Sequence, residues 1–583
     1  MVNFSEKGSS LPLSRATAPQ SRWGLARTIL LCAITLAAVL KLSTEVYQRV
    51  IVGVEDPTAS SAKCPQVRPL VPGHQTPALL DMEEYVRSDQ FSRETVVRMA
   101  DAIGIPTETF DDLGLAGEDP RWDKMYKLAE YLEKTFPAVH STLELEKVNT
   151  HALLYTWQGT EPELPLTLLM AHQDVVPVEE ETIDEWTHPP FSGYFDDEFI
   201  WGRGSSDDKN GLIGILEAVE LLLQADFEPR RSVVLAFGFD EEIGGHQGAR
   251  YLADALYDRY GDNGAAVIVD EGAGVAGLWG STFGLPGVAE KGGLNVEITI
   301  RTPGGHSSIP PAHTGIGIAS ELVTLIEANP YPPHFHEENP FLRFLECANA
   351  HSPSFPRSLR RHLPWRGPSW PSGDDKLALE AAKLGDEIKY LFTTSSAVDV
   401  ISGGVKINAL PETTRLLVNH RVNVGDSVSE VQDKLVRLAR KVAAKHNLTV
   451  QAFTDKEPAV PSSIRLASLY SMEPAPVSPT SIRGVTPYSV LSGTTRALYG
   501  ESVIVAPSLM TGNTDTRHFW GLSRHIFRYN PGYDPNIGLG LDGVHTVNEK
   551  ISLLAHVRTV QWFSLFIRNM DEAELSKIVD KNN

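Results

Sequence analysis

His172 and Asp174 stand two residues apart directly after an apolar run, in the segment Ala171-His172-Gln173-Asp174. Acidic residues follow two later runs, as Asp240-Glu241-Glu242-Ile243-Gly244-Gly245 and Asp270-Glu271-Gly272. Between the first and second of these, Trp201-Gly202-Arg203-Gly204-Ser205-Ser206-Asp207-Asp208-Lys209 opens a helical pattern, and His545 follows a Gly-rich loop. Imidazole and carboxylate are the donors of divalent metal sites. Singly, each motif has a plain structural explanation. His-x-Asp is commonly a surface hydrogen bond, an acidic run a solvated turn, and Asp207-Asp208 an N-cap pair. Gly202-Arg203-Gly204 falls short of the dinucleotide and phosphate-loop patterns. Jointly they put ligand-type residues at three strand ends and one helix start. Clustered carboxylates repel one another unless a cation neutralises them, so metal binding is the economical account.

The elements that must position these residues alternate. Leu166–Met170, Ser232–Phe239 and Ala265–Val269 read as buried strands, with helical patterns at Leu212–Gln224 and Ala249–Tyr257 between them. Such alternation predicts an α/β fold with a doubly wound, mostly parallel sheet, whose ligands bind at the carboxyl ends of the strands. From Leu294 the texture changes to alternating strands (Asn295–Thr302 and Thr414–Val424) with helical patterns at Ile316–Glu327 and Val428–Lys445. That predicts an inserted smaller α+β domain over 293–456, within a catalytic domain of 85–292 and 457–570. A Pro/Ser-rich passage, Glu457–Val485, follows it, and Asn339–Gly385, rich in Pro, Arg and His, reads as a surface insertion.

The chain has 583 residues, 42% hydrophobic and 22% charged, which places it among globular proteins rather than disordered ones. Its 74 acidic against 52 basic residues give a net charge of −22, which argues against nucleic acid as a partner. The three cysteines, Cys32, Cys64 and Cys347, exclude a disulfide framework and a CxxC zinc ribbon. At most one bridge, Cys64 to Cys347, could form in an oxidising lumen. Thr28–Leu40 is a charge-free apolar run between Arg27 and Lys41. The basic residues before it and the lack of a clear cleavage site after Leu40 predict a signal-anchor transmembrane helix over 25–42. The tail, 1–24, then stays cytosolic, and a stalk, 43–84, leads to a lumenal body. The sequon Asn447-Leu448-Thr449 fits lumenal glycosylation at Asn447.

The set also resembles the M20 metallopeptidases, which include carboxypeptidase S, aminoacylase-1 and the glutamate carboxypeptidases. The resemblance spans about residues 85–570. It rests on His172-x-Asp174, Gly202-Arg203-Gly204-x-x-Asp207-x-Lys209, Asp240-Glu241-Glu242, Asp270-Glu271 and His545, in the family's order. The anchor and the wording His172-Gln173-Asp174-Val175-Val176-Pro177-Val178 look closest to the fungal vacuolar carboxypeptidase S branch. The resemblance implies two zinc ions bridged by Asp207, one completed by His172 and Asp270, the other by Glu242 and His545. Asp270 is chosen over its neighbour Glu271 because it directly ends the strand. Two zinc ions about 3.5 Å apart can hold a hydroxide between them. Glu241 would be the general base, and Asp174 would hold the His172 imidazole in its tautomer. Arg301-Thr302-Pro303-Gly304-Gly305-His306-Ser307 resembles the family's lid motif, whose histidine stabilises the oxyanion, in many members across a homodimer. Asn408-Ala409-Leu410-Pro411 and Arg421 match a pattern near the substrate carboxylate, and Gly512–Arg517 resembles another substrate-side loop.

One departure is that Asn210 precedes Gly211 after the Lys of the bridging motif, where the family often has Gly; this bears on how the helix starts more than on chemistry. The expectation is a vacuolar, type II membrane-anchored, di-zinc exopeptidase acting on short peptides, with Gly in the penultimate position. An N-acyl-amino-acid amidohydrolase would use the same centre. A non-catalytic receptor on this scaffold would typically have lost ligands or the base. A binding protein with one structural metal would need neither a Glu beside a ligand nor a lid histidine.

Overall fold

The ends of four parallel strands create the place where these residues can meet. In a computed structural model, residues 64–363, 375–454, 460–537 and 543–576 are described. The main sheet runs in the order Glu144–Val148, Ala152–Trp157, Val233–Gly238, Leu166–His172, Ala265–Ala273, Ile526–Tyr529, Gly287–Glu290 and Ser508–Met510. Val233–Gly238, Leu166–His172, Ala265–Ala273 and Ile526–Tyr529 are mutually parallel, with register shifts where Ala265–Ala273 pairs its two neighbours. The two strands at the Glu144 edge are antiparallel, as is the pairing of Gly287–Glu290 with Ile526–Tyr529, so the sheet is mixed. Leu166–His172 and Val233–Gly238 are buried at every position, as expected of strands covered on both faces.

The helix Lys209–Gln224 covers one face. It is apolar nearly all round, with Leu212, Ile213, Ile215, Leu216, Val219 and Leu222 buried, because it lies between the sheet and the C-terminal helix Leu553–Glu572. Each such side chain contributes about 1.5–3 kcal/mol of burial. Ala249–Tyr260 covers the opposite face, packing Leu252 and Leu256 on Leu168, Met170 and Ala236.

A second sheet, in the order Ala397–Gly403, Thr413–Val422, Gly292–Arg301, Ser463–Met472 and Thr449–Ala452, begins one residue after the main-sheet strand Gly287–Glu290. Its strand Gly292–Arg301 alternates inward Val296, Ile298 and Ile300 with less buried residues. The helices Gly315–Glu327 and Val428–His446 share its core. The latter starts at a capping box, Ser427 with Glu430.

Three boundaries differ from expectation. The helix Pro77–Val86 begins inside the predicted stalk, 43–84, and buries Leu79 and Met82 there, so the folded body begins earlier than residue 85. Thr76 caps it, accepting from the Leu79 amide. The second sheet continues past 456 to Met472, because Ser463–Met472 pairs along Gly292–Arg301. The 339–385 segment is not a surface feature over its described part. Its helix Pro340–His351 buries Phe341, Leu342, Phe344 and Leu345 against Phe283, Ile504 and Leu509. The expected tail, the 25–42 anchor, and 43–63 of the stalk lie outside the described residues. Among the described residues no helix is long and apolar enough to cross a membrane.

Cys64 and Cys347 form a disulfide that ties the start of the body to the Pro340–His351 helix. A bridge across so long a loop stabilises mainly by restricting the unfolded chain. Cys64→Ser is expected to cost about 2–4 kcal/mol, read as a lower thermal midpoint that reductant no longer shifts.

Candidate metal centre

His172 closes its strand, and its ring is buried there. Its Nδ1 donates to the Asp174 carbonyl oxygen at 3.0 Å, which leaves Nε2 as the free donor atom facing the cleft. That Nε2 lies 3.0 Å from Oδ1 of Asp207. The other oxygen of Asp207, Oδ2, lies 3.1 Å from Nε2 of His545, which is also 3.2 Å from Oε2 of Glu242. One carboxylate thus faces two imidazoles.

The loop that presents Asp207 is held by a buried acid. Glu549 accepts from the amides of Gly204, Ser206 and Asp207 at 3.0, 2.9 and 3.2 Å and pairs with Arg203 at 2.7 Å. Glycines are required on either side of Arg203. Gly204 has φ +87°, and a Cβ there would sit 2.7 Å from Val175; Gly202 has φ +145°, and a Cβ would meet Pro190 O at 2.8 Å. Lys209 is buried and turned away from the centre, donating to the carbonyls of Ala102 and Ile105. Asn210 is explained by packing: its side-chain oxygen accepts from His556 of the C-terminal helix at 2.7 Å. The following glycine leaves room for the Asp208 carboxylate, 2.5 Å from where a Cβ would be.

Glu241 and Glu242 sit on a 3-10 turn just beyond Val233–Gly238. Both of their amides donate to the carboxylate of Asp174, at 3.0 and 3.1 Å, and Thr109 adds a third donor at 2.8 Å. Asp174 therefore orients the acidic turn as well as lying 3.4 Å from His172 Nδ1. Arg517 pairs with Glu241 at 3.0 Å. Its loop is anchored by the buried Glu290, which accepts from Thr514 and pairs with Arg528 at 2.9 Å.

Of the two adjacent acids, expected to ligate through Asp270, this geometry brings Glu271 toward His172. Successive residues of a strand point to opposite faces, and it is Glu271 whose Oε1 lies 3.8 Å from His172 Nε2. Asp270 is buried beside Thr514 instead, with one carboxylate oxygen lacking any partner. The other expected residues divide. Arg421, exposed on the second sheet, donates to the Asn513 side chain at 3.1 Å and so reaches the Gly512–Arg517 loop. His306 is exposed on a short two-stranded ribbon, and the exposed Asn408 directly precedes the ribbon's second strand. His306 accepts from the Ser308 amide at 3.1 Å, and among the described residues no hydrogen bond or ion pair joins either residue to Asp207 or Glu241. Asn447 is the exposed left-handed C-cap of Val428–His446. Glu549 and Thr109 carry no such signal in the sequence, whereas Arg517 ends the expected substrate-side loop and pairs with Glu241.

The electrostatics favour a cation. Burial, followed by Asp207, pushes Glu271 up to about 8. Burial, with Glu271 and Asp515, pushes Glu241 well above the usual carboxylate range. His545 is raised to about 10 by hydrogen bonds to Asp207 and Glu242. Burial disfavours charge on His172, yet Glu271, Asp174 and Asp207 together hold its pKa well above normal. One oxygen of Glu242 is buried without a partner. Five converging side chains, His172, Asp207, Glu242, Glu271 and His545, therefore offer nitrogen and oxygen donors with excess negative charge. The donor set fits divalent metal ions.

Residues 168–569 match the family described as peptidase family M20/M25/M40. The chain is 41% identical to carboxypeptidase S of Saccharomyces cerevisiae over 527 residues, covering 88% of this chain and 89% of that protein. It is 33% identical to the human N-fatty-acyl-amino acid synthase/hydrolase over 493 residues, 83% of this chain and 89% of that one. Human carnosine dipeptidase 1 has a similar fold, with TM-score 0.58 at 15% identity over 86% of this chain and 100% of that one.

Glu549→Gln keeps one oxygen for the three amides but removes the negative charge behind Asp207 and turns an NH2 group toward the Arg203 guanidinium. Metal affinity measured by competition with a chromogenic chelator is expected to fall about 10–100-fold, with the far-ultraviolet circular dichroism unchanged.

Proposed function

The chain belongs to peptidase family M20/M25/M40 and is a metallopeptidase, and on that premise we propose that it is a zinc carboxypeptidase releasing C-terminal residues from short peptides, with Gly favoured in the penultimate position. The observation that carries this reading is the Asp207 carboxylate, which turns one oxygen to His172 and the other to His545. His172 and Glu271 would hold one zinc ion with Asp207, and Glu242 and His545 the other. Zinc supplies Lewis acidity and brings the pKa of water near 7 when bound.

The remaining work belongs to side chains of this chain. Glu241 stands one residue from a ligand, takes the proton of the attacking water and delivers it to the leaving amine. Arg517 fixes one of its oxygens. Arg421, with Asn408 near it in sequence, receives the substrate's terminal carboxylate, for which a guanidinium fork is suited. His306 stabilises the oxyanion. Its exposure supports delivery by a second copy, and so do the exposed edge strand Ala397–Gly403 and the apolar Val405, Ile407 and Ile309, exposed by 101%, 98% and 83%.

The similarity to an N-fatty-acyl-amino acid hydrolase supports a second reading, an amidohydrolase on the same centre, which differs in the acyl pocket. The disulfide suits an oxidising lumen, and with the Thr28–Leu40 run it supports a type II anchored protein of the vacuolar membrane. The exposed Asn447 then carries an N-glycan. Removal of the sugar by glycosidase should raise mobility in the natural protein and leave Asn447→Gln unchanged.

Hydrolysis of a blocked Gly-Leu peptide and of an N-acyl amino acid, with and without chelator and added zinc, tests the reading. The peptide is expected to be cleaved and the activity restored by zinc, with kcat reduced by about 10²–10⁴ in Glu241→Gln. Preferred turnover of the acyl amino acid would select the amidohydrolase; turnover of neither by the zinc-loaded protein would remove both.

A further inference from the structure

Away from the centre, three more metal-type ligands converge. His334 and His336 lie on the loop that leads from the second sheet's helix Gly315–Glu327 into Pro340–His351, and Asp426 lies on the loop after Thr413–Val422. The two Nε2 atoms are 2.9 Å apart, and each is 2.9 Å from Oδ1 of Asp426. All three side chains are partly open to solvent, so an ion can enter.

The hydrogen bonds around the triad fix what its atoms can be. Nδ1 of His334 lies 3.0 Å from the carbonyl oxygen of Pro332, which can only accept, so Nδ1 carries a proton. The neutral ring then turns a bare Nε2 lone pair toward a carboxylate oxygen and a second imidazole nitrogen. Such an arrangement is repulsive unless a cation lies among the three atoms or the ring takes a second proton. A ligating histidine commonly donates its other N–H to a backbone carbonyl in this way. Asp426 has matching support: Thr394, itself buried, donates to its other oxygen. The surroundings are shaped to bring the rings in. Gly425 has φ +98°, and a Cβ there would fall 2.2 Å from the His336 ring.

We propose that His334, His336 and Asp426 form a second metal site, separate from the Asp207 centre, which takes one divalent ion of the zinc type. Two imidazoles and one carboxylate suit zinc, with water filling the remaining position. The site sits where the two sheets meet. Thr394 also accepts from the Asn423 amide at 2.9 Å, and the adjacent Thr393 carbonyl accepts from Lys291, the residue that joins the main sheet to the second. The ion would fasten the second sheet to the disulfide-bridged Pro340–His351 helix.

The test is zinc content per chain, by mass spectrometry of the desalted full-length protein after equilibration in buffered zinc. Asp426→Asn and His334→Gln, two near-isosteric changes, are each expected to carry one zinc fewer than wild type while kcat/KM on the peptide stays within about twofold. Circular dichroism selects the folded variants, and two independent changes keep the result decisive if one fails to fold. Should both fail, cobalt titration of the wild-type protein decides: a further equivalent of cobalt, bound after the Asp207 centre is saturated, supports the site. Zinc content equal to wild type in a folded variant, or no cobalt beyond the Asp207 centre, overturns the proposal and leaves a protonated His334 paired with Asp426.

Discussion

Asp207 offers its two carboxylate oxygens to two imidazoles, at 3.0 Å on one side and 3.1 Å on the other. Around it stand Glu241, Glu242 and Glu271, all drawn toward the neutral form by burial. A crowd of buried acids of this kind is costly unless cations share the space, and the main sheet is built to hold it together. These acids and imidazoles come from several strand ends and loops, Glu241 and Glu242 sharing one turn, and none is placed by its own element alone. Glu549 fixes the Asp207 loop, Asp174 fixes the Glu241 turn, and Glu290 with Arg528 fixes the loop of Arg517. The outer acids are thus as much a part of the site as the inner ones.

The second sheet is coupled to this centre through very little chain. Only Lys291 separates the main-sheet strand Gly287–Glu290 from Gly292–Arg301. Its carbonyl accepts from Asn513, whose side-chain oxygen in turn receives Arg421. Any rotation of the second sheet would therefore move Arg421 relative to Glu241. The exposed His306 ribbon belongs to the same inserted segment as the second sheet.

Much of this was legible in the sequence. The apolar runs at Leu166, Ser232 and Ala265 are free of charge and lead into His172, Asp240 and Asp270, so both the strands and their functional ends could be read. The choice between Asp270 and Glu271 could not, because adjacent strand residues face opposite ways and the pairing with Ile526–Tyr529 shifts register just there. Glu549 was hidden because its partners lie more than 340 residues away, and a lone acid after a histidine carries no pattern. Composition misled at 339–385, where Pro, Arg and His masked the helical spacing of Phe341, Leu342, Phe344 and Leu345. The last strand of the second sheet was lost for a similar reason, in a passage punctuated by Pro and Ser.

The account stands or falls on what the Asp207 carboxylate is for. Anomalous diffraction at the zinc edge, on crystals of the zinc-loaded protein, measures it directly. Two peaks are predicted beside Asp207, one among His172, Glu271 and Oδ1, the other among Glu242, His545 and Oδ2. A single peak there, or none while zinc is bound elsewhere, would contradict it.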